Sequence, residues 1–129
     1  MKPIPDFLSE ADLFDLHQVA RESVGGSAGL RDAGLLVSAL AAPQAGFGDQ
    51  YLPEDIPVMA AAYLYHLIRN HPFVDGNKRV AMLACLTFLD SNSFECLLTE
   101  EEWILLVLAI AQGKLAKDEC TRRIQAACR

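Results

Sequence analysis

Between His71 and Arg79 the chain gathers, within nine positions, side chains that can move a proton, hold a cation and bind an anion. His71 offers an imidazole, a group suited to take a proton from a hydroxyl. Asp75 is the one acid between Arg69 and Arg79, and one carboxylate plus substrate phosphates is a usual way to hold Mg²⁺. Gly76 admits backbone geometry that other residues resist. Asn77, Lys78 and Arg79 then open a helix, where unpaired N–H groups and the dipole attract anions. Two cations at a helix start oppose that dipole, so a purely structural helix rarely places them there. Phe73 is expected to pin the loop to the core. Base, carboxylate, anion-binding helix end and cations together fit phosphate transfer to a hydroxyl.

Plainer readings stand beside these. His71 could simply end a helix, Asp75-Gly76 could be an ordinary turn, and Asn77 could be an N-cap. Arg69 and Asn70 read as surface residues at a helix C-terminus, His66 as an edge histidine and His17 as a partly exposed helical one. Phe47 and Tyr51 either line a groove or pack their loop onto the body.

The flanking elements must hold this segment in place. Ser9 with Asp12 three residues on is a weaker form of the capping box, and a first amphipathic helix runs from there to about Val24, ending in Gly25-Gly26. Asp32 caps a second helix that stops before Pro43. An irregular stretch spans 43–55. A third helix starts near Pro57 and reaches Asn70; a fourth covers about 77–92. Thr99 followed by three glutamates opens a fifth, and a sixth occupies about 117–128. Period-2 alternation is nearly absent, so the fold class is all-α. The third and fourth helices are apolar on nearly every face, which places them at the centre of a six-helix bundle with the charged loop at one rim.

With 129 residues, one domain spanning 1–129 is expected. Apolar residues make up 52% and charged residues 22%, which excludes intrinsic disorder. The formal charge of −6 has the wrong sign for direct nucleic acid binding or a membrane-surface role. The longest apolar run, Trp103 to Ala111, is about half a bilayer crossing and reads as core. No apolar leader opens the chain, so a cytoplasmic location is expected. Cys85, Cys96, Cys120 and Cys128 lack metal-knuckle spacing and read as reduced, packed thiols.

The stretch His71-Pro72-Phe73-Val74-Asp75-Gly76-Asn77-Lys78-Arg79 resembles the signature of Fic-domain proteins, H-P-F-x-[D/E]-G-N-G-R-x-x-R. It is more similar still to the death-on-curing (Doc) branch, H-x-F-x-D-x-N-K-R. The block Gly29-Leu30-Arg31-Asp32-Ala33-Gly34-Leu35-Leu36, ending at Ala42-Pro43, is also like that branch. The resemblance implies an all-helical Fic fold in which His71 deprotonates a target hydroxyl, Asp75 helps to hold Mg²⁺, and Gly76, Asn77, Lys78 and Arg79 bind the phosphates of ATP. It implies a flap within 43–55 that aligns a target peptide by strand-like pairing.

Two positions depart from the broader Fic pattern: Lys78 replaces the second glycine and Met82 the second arginine. The Doc branch carries the same changes, and the resemblance implies a kinase that delivers the γ-phosphate to translation elongation factor Tu. Transfer of AMP is the runner-up, and an inactive Fic-fold binding module remains open. Ser91 with Glu95 is the nearest match to a Fic inhibitory helix, but Cys96 follows and the motif reads as absent. A toxin of this type then needs a separate antitoxin, with a disordered C-terminal segment that folds on it.

Overall fold

A computed structural model describes residues 4–46 and 50–129. Six α-helices follow in chain order: α1 (Glu10–Val24), α2 (Ala33–Ala41), α3 (Asp55–Asn70), α4 (Asn77–Ser91), α5 (Glu100–Ala111) and α6 (Lys117–Ala127), with one 3₁₀ turn at Ala42–Gln44. Among the described residues there is no strand, only the isolated antiparallel bridges Leu30–Phe73 and Cys96–Cys128. The chain is all-α. No described helix is long and apolar enough to cross a membrane.

The helix starts follow from their caps. The Ser9 hydroxyl accepts from Asp12 N–H at 3.1 Å and the Asp12 carboxylate accepts from Ser9 N–H at 2.8 Å, a reciprocal box that opens α1. Gly25, at φ 79, ends it. Asp32 accepts from Leu35 N–H at 2.9 Å and caps α2. Thr99 and Glu102 form a second reciprocal box on α5. α3 begins two residues before Pro57, because the first turn leaves its N–H groups unpaired anyway and so tolerates proline there.

α3 is the axis of the bundle. Ten of its 16 residues are buried, and it packs against α2, α4, α5 and α6. Alanines 60, 61, 62, 81 and 84 let α3 and α4 approach closely, so the two form a hairpin whose connection is the charged loop. One hydrophobic cluster takes side chains from all six helices. At the end of the hairpin away from the loop, the Phe88 ring lies 5.1 Å from Tyr63 and 5.8 Å from Phe7, centroid to centroid. Burial pushes the Tyr63 hydroxyl up to about 12, and its oxygen accepts from Leu8 N–H at 3.1 Å.

Two expectations about burial need correction. α4 buries Val80, Ala81, Ala84, Cys85, Phe88 and Leu89 but leaves Met82, Leu83 and Leu86 half-buried, because no helix covers that side fully. The apolar run of α5 is core only at Trp103, Leu106 and Ile110; Ile104, Leu105 and Leu108 are exposed. α5 is an edge helix and packs on one side alone.

Phe88→Ala empties a fully buried aromatic position and is expected to destabilise the fold by about 3–5 kcal/mol, read from urea unfolding. A loss under about 1 kcal/mol would show that the ring cluster contributes little.

Candidate active site

The loop between α3 and α4 is built from bonds that arrive from distant parts of the chain. α3 ends as His71 turns into the left-handed region, φ 52 and ψ 55, and its N–H closes on the Leu67 carbonyl at 3.3 Å. A non-glycine residue in that region stores roughly 1–3 kcal/mol of strain and persists only when its surroundings hold it. Arg31 does much of the holding. Its Nε donates to the His71 carbonyl at 2.6 Å and its Nη2 to the Asn70 carbonyl at 2.8 Å, a cation on the open carbonyl end of α3. The backbone of residues 29–32 adds three bonds: Arg31 and Asp32 N–H both donate to Pro72 O, and Val74 N–H donates to Gly29 O at 3.0 Å.

Asn77 and His17 fix the rest. Asn77 is buried at the first position of α4, not at its cap. Its Oδ1 accepts from Phe73 N–H and its Nδ2–H donates to Phe73 O, each at 2.9 Å, so one amide satisfies both backbone groups of a buried residue. The His17 ring stacks on Phe73 at 4.1 Å and 11°. Its Nε2 lies 2.9 Å from the Asp75 carbonyl, which only accepts, so Nε2 carries a proton. His17 is therefore 5% exposed, against the partly exposed histidine expected from its helical position.

Gly76 is the N-cap of α4 at φ 80 and ψ 14, and no side chain caps the helix. The residues of its first turn, whose N–H groups have no partner within the helix, line a cavity of about 850 Å³. His71, Asp75, Gly76, Asn77, Lys78 and Arg79 all line that cavity. The opposite wall is apolar, from Ile68, Met82, Trp103, Ile104 and Val107, with Glu100 at one edge. Among the described residues neither Lys78 nor Arg79 makes an ion pair, and the His71 ring has no hydrogen-bond partner. The result is a positive helix end with two unpaired cations and an exposed imidazole lining the same cavity, faced by an apolar wall. Such a site accepts an anion joined to an aromatic or apolar group.

Asp75 presents an exposed carboxylate at the rim. Oδ1 accepts from Gly76 N–H at 2.9 Å and Oδ2 from Ser27 N–H at 3.3 Å, which fixes the group and leaves each oxygen a further lone pair. No cluster of three or more metal-ligating side chains exists among the described residues. A single oriented carboxylate suits Mg²⁺ that takes its remaining ligands from phosphates and water, and does not suit a cation that needs a complete protein cage.

Other expected participants stand elsewhere. Tyr51 packs its ring on Phe7 at 5.6 Å, at the start of α3. That end is roughly 24 Å from the loop at 1.5 Å per residue over α3's 16 residues. The described part of the proposed 43–55 flap therefore does not border the cavity; Phe47 lies outside the described residues. The strand-like pairing beside the loop is made by residues 29–31 instead. Ser91 is the last residue of α4 and Glu95 lies beyond it, both away from the cavity. Arg69 is exposed, and its Nη1 donates to the Ile110 carbonyl at 3.3 Å, where it ties α3 to the end of α5. Asn70 donates to the Leu35 carbonyl at 3.0 Å. The Nε2 of His66 is enclosed without a hydrogen-bond partner, and burial, helped by Lys117, lowers the ring's pKa.

Comparison with known proteins gives concordant results. The model of the Fic/DOC family matches residues 7–89. A protein named Toxin Doc from Mycolicibacterium smegmatis is 41% identical over 91 residues, 70% of this chain and 67% of that protein. Protein kinase doc of Escherichia phage P1 is 28% identical over 109 residues, 84% of this chain and 85% of that one.

Asn77→Ala strands the buried N–H and carbonyl of Phe73, and each orphaned group costs about 1–3 kcal/mol. A stability loss of about 2–4 kcal/mol is expected, with faster amide exchange confined to 71–77 in the folded protein. Unchanged exchange there would mean that the loop is held without the amide.

Proposed function

The chain belongs to the Fic/DOC family, and from that premise we propose that it is a Doc-like toxin that phosphorylates a hydroxyl of a protein target, elongation factor Tu, with ATP and Mg²⁺ in the cytoplasm. The observation that supports this most is the shared cavity. The uncapped amino end of α4, with Lys78 and Arg79 upon it, opens onto the same space as the His71 imidazole. Phosphates bound at the helix end lie beside a base able to activate the attacking hydroxyl.

In this reading His71 takes the proton of the target hydroxyl as its oxygen attacks the γ-phosphorus, and ADP leaves. The first-turn N–H groups of α4, Lys78 and Arg79 neutralise charge on the transferring phosphoryl oxygens. The Asn77 amide has one Nδ2 hydrogen beyond the bond to Phe73 O, which it can offer to a phosphate. Asp75 would hold Mg²⁺, which when bound supplies further charge neutralisation between the phosphates. The apolar wall at Trp103 and Ile104 accepts the adenine-ribose portion of the nucleotide.

Lys78 favours the γ-phosphate over AMP as the transferred group. A glycine there would let backbone lie against phosphate, whereas the ammonium occupies that space and sits beside the terminal phosphate. Met82 supplies no second guanidinium clamp. The proposed partner is an antitoxin whose disordered C-terminal segment folds on this protein. The exposed Ile104, Leu105 and Leu108 of α5 are the kind of apolar surface such a segment covers.

Intact-mass analysis of elongation factor Tu after incubation with the protein, ATP and Mg²⁺ is expected to show the gain of one phosphate. A gain of AMP would identify an adenylyltransferase, and no gain under any nucleotide condition would point to a binding module or another target. His71→Ala is expected to slow transfer about 10²–10⁴-fold with little loss of ATP affinity, because the phosphate contacts lie on α4. Full toxicity of His71→Ala in cells would remove the base assignment. Lys78→Gly is expected to weaken γ-label incorporation, and wild-type incorporation of α-label alone would reverse the choice of kinase.

A further inference from the structure

Away from the cavity, the two ends of the C-terminal helical pair meet in a second arrangement with chemistry of its own. Residues 95–97, between α4 and α5, pair antiparallel with 127–129, at the close of α6. Glu95 and Arg129 exchange both backbone hydrogen bonds, at 2.7 and 2.9 Å, and Leu97 N–H donates to the Ala127 carbonyl at 2.8 Å. Cys96 and Cys128 form the bridge between those bonded pairs. In an antiparallel ladder this is the non-hydrogen-bonded position, where opposed Cα atoms stand about 4.5 Å apart and the side chains are closest. Disulfides span Cα separations of roughly 4.4–6.8 Å, so a pair in this ladder position suits a cross-link. Both residues are free thiols and half-buried, open enough for a small oxidant to reach.

We propose that Cys96 and Cys128 are an oxidisable pair that a hydroperoxide closes into an intramolecular disulfide. The two sulfurs play unequal parts. The thiols lie within hydrogen-bonding reach, and the bond from Cys128, aided by Leu98 N–H, holds Cys96 below the usual thiol range against the opposing effects of burial and Glu102. Giving that bond pushes Cys128 up. Cys96 is thus the thiolate that attacks. Its sulfur takes one peroxide oxygen as the O–O bond breaks, the other oxygen leaves as water, and Cys96 becomes a sulfenic acid. The Cys128 sulfur then displaces the sulfenic oxygen, which departs as a second water. Two thiols and one hydrogen peroxide become one disulfide and two waters. Cys85 and Cys120 take no part: both are buried, and burial pushes Cys85 well up and Cys120 up to about 12. The new bond would fasten the C-terminal end of α6 to the segment that leads through Thr99 into α5, one wall of the cavity.

The test is treatment of the reduced protein with a small excess of hydrogen peroxide, followed by intact mass, peptide mapping and thermal unfolding. The expected product is a monomer lighter by two hydrogens, with the Cys96 peptide joined to the Cys128 peptide and both changes reversed by dithiothreitol. Its unfolding midpoint is expected to rise on the order of 10 °C, the scale of a cross-link closing a loop of this length. Cys128→Ser should stop at a sulfenic acid that dimedone traps, and Cys96→Ser should resist peroxide. Addition of oxygen to Cys96 without cross-linking in the wild type, a linked dimer, a bridge to Cys85 or Cys120, or no reaction would each overturn the proposal.

Discussion

Two hydrogen bonds from one buried amide organise the cavity rim. Asn77 accepts from and donates to the backbone of Phe73, and so closes the loop onto the first turn of the helix that follows it. Once Phe73 is fixed, its ring offers a surface on which His17 stacks, and His17 in turn holds the carbonyl of Asp75. The Asp75 carboxylate then accepts from the N–H of Gly76, the N-cap of α4. Each contact positions the group for the next, which is why the loop holds one conformation although its outer side chains face solvent. Removing a partner from such a network costs more than a single hydrogen bond, because what remains is buried and unpaired.

The same network carries strain that a free turn would release. His71 is held in a left-handed conformation by contacts to its backbone, not to its ring: Leu67 at its N–H and Arg31 at its carbonyl. The imidazole is consequently placed without being occupied. On the other side, Lys78 and Arg79 stand at a helix start and form no ion pair among the described residues, in a protein whose formal charge is −6. Concentrating positive potential at one rim of an acidic molecule favours an anionic ligand there over association with nucleic acid along the surface.

Much of this was legible in the sequence because the relevant information is local. Capping residues, glycine stops and apolar stretches mark all six helices to within about two residues, and the spacing from His71 to Arg79 identifies the loop. What could not be read depends on contacts far apart in the chain. Arg31 acts 40 positions from His71 and His17 acts 58 positions from Asp75, and nothing in the local pattern of either separates a loop clamp from an ordinary helical or surface residue. The apolar run of α5 looked like core because hydropathy does not reveal how many neighbours a helix will have; its exposed leucines follow from an edge position. Tyr51 sat in the right kind of segment for a flap, yet its aromatic ring finds Phe7 at the opposite end of α3. The thiol pair escaped for the same reason: 96 and 128 meet only when α5 and α6 fold back on each other.

The amino end of α4 as the seat of the nucleotide phosphates is the central proposal. Its most direct test is a titration of the folded protein with ATP and Mg²⁺ followed residue by residue through backbone amide shifts. The largest changes are expected at Gly76, Asn77, Lys78 and Arg79, with smaller ones at Trp103 and Ile104 and none at the start of α3. Saturable binding that leaves these four amides unmoved, or shifts concentrated around Tyr51 and Phe7, would contradict it.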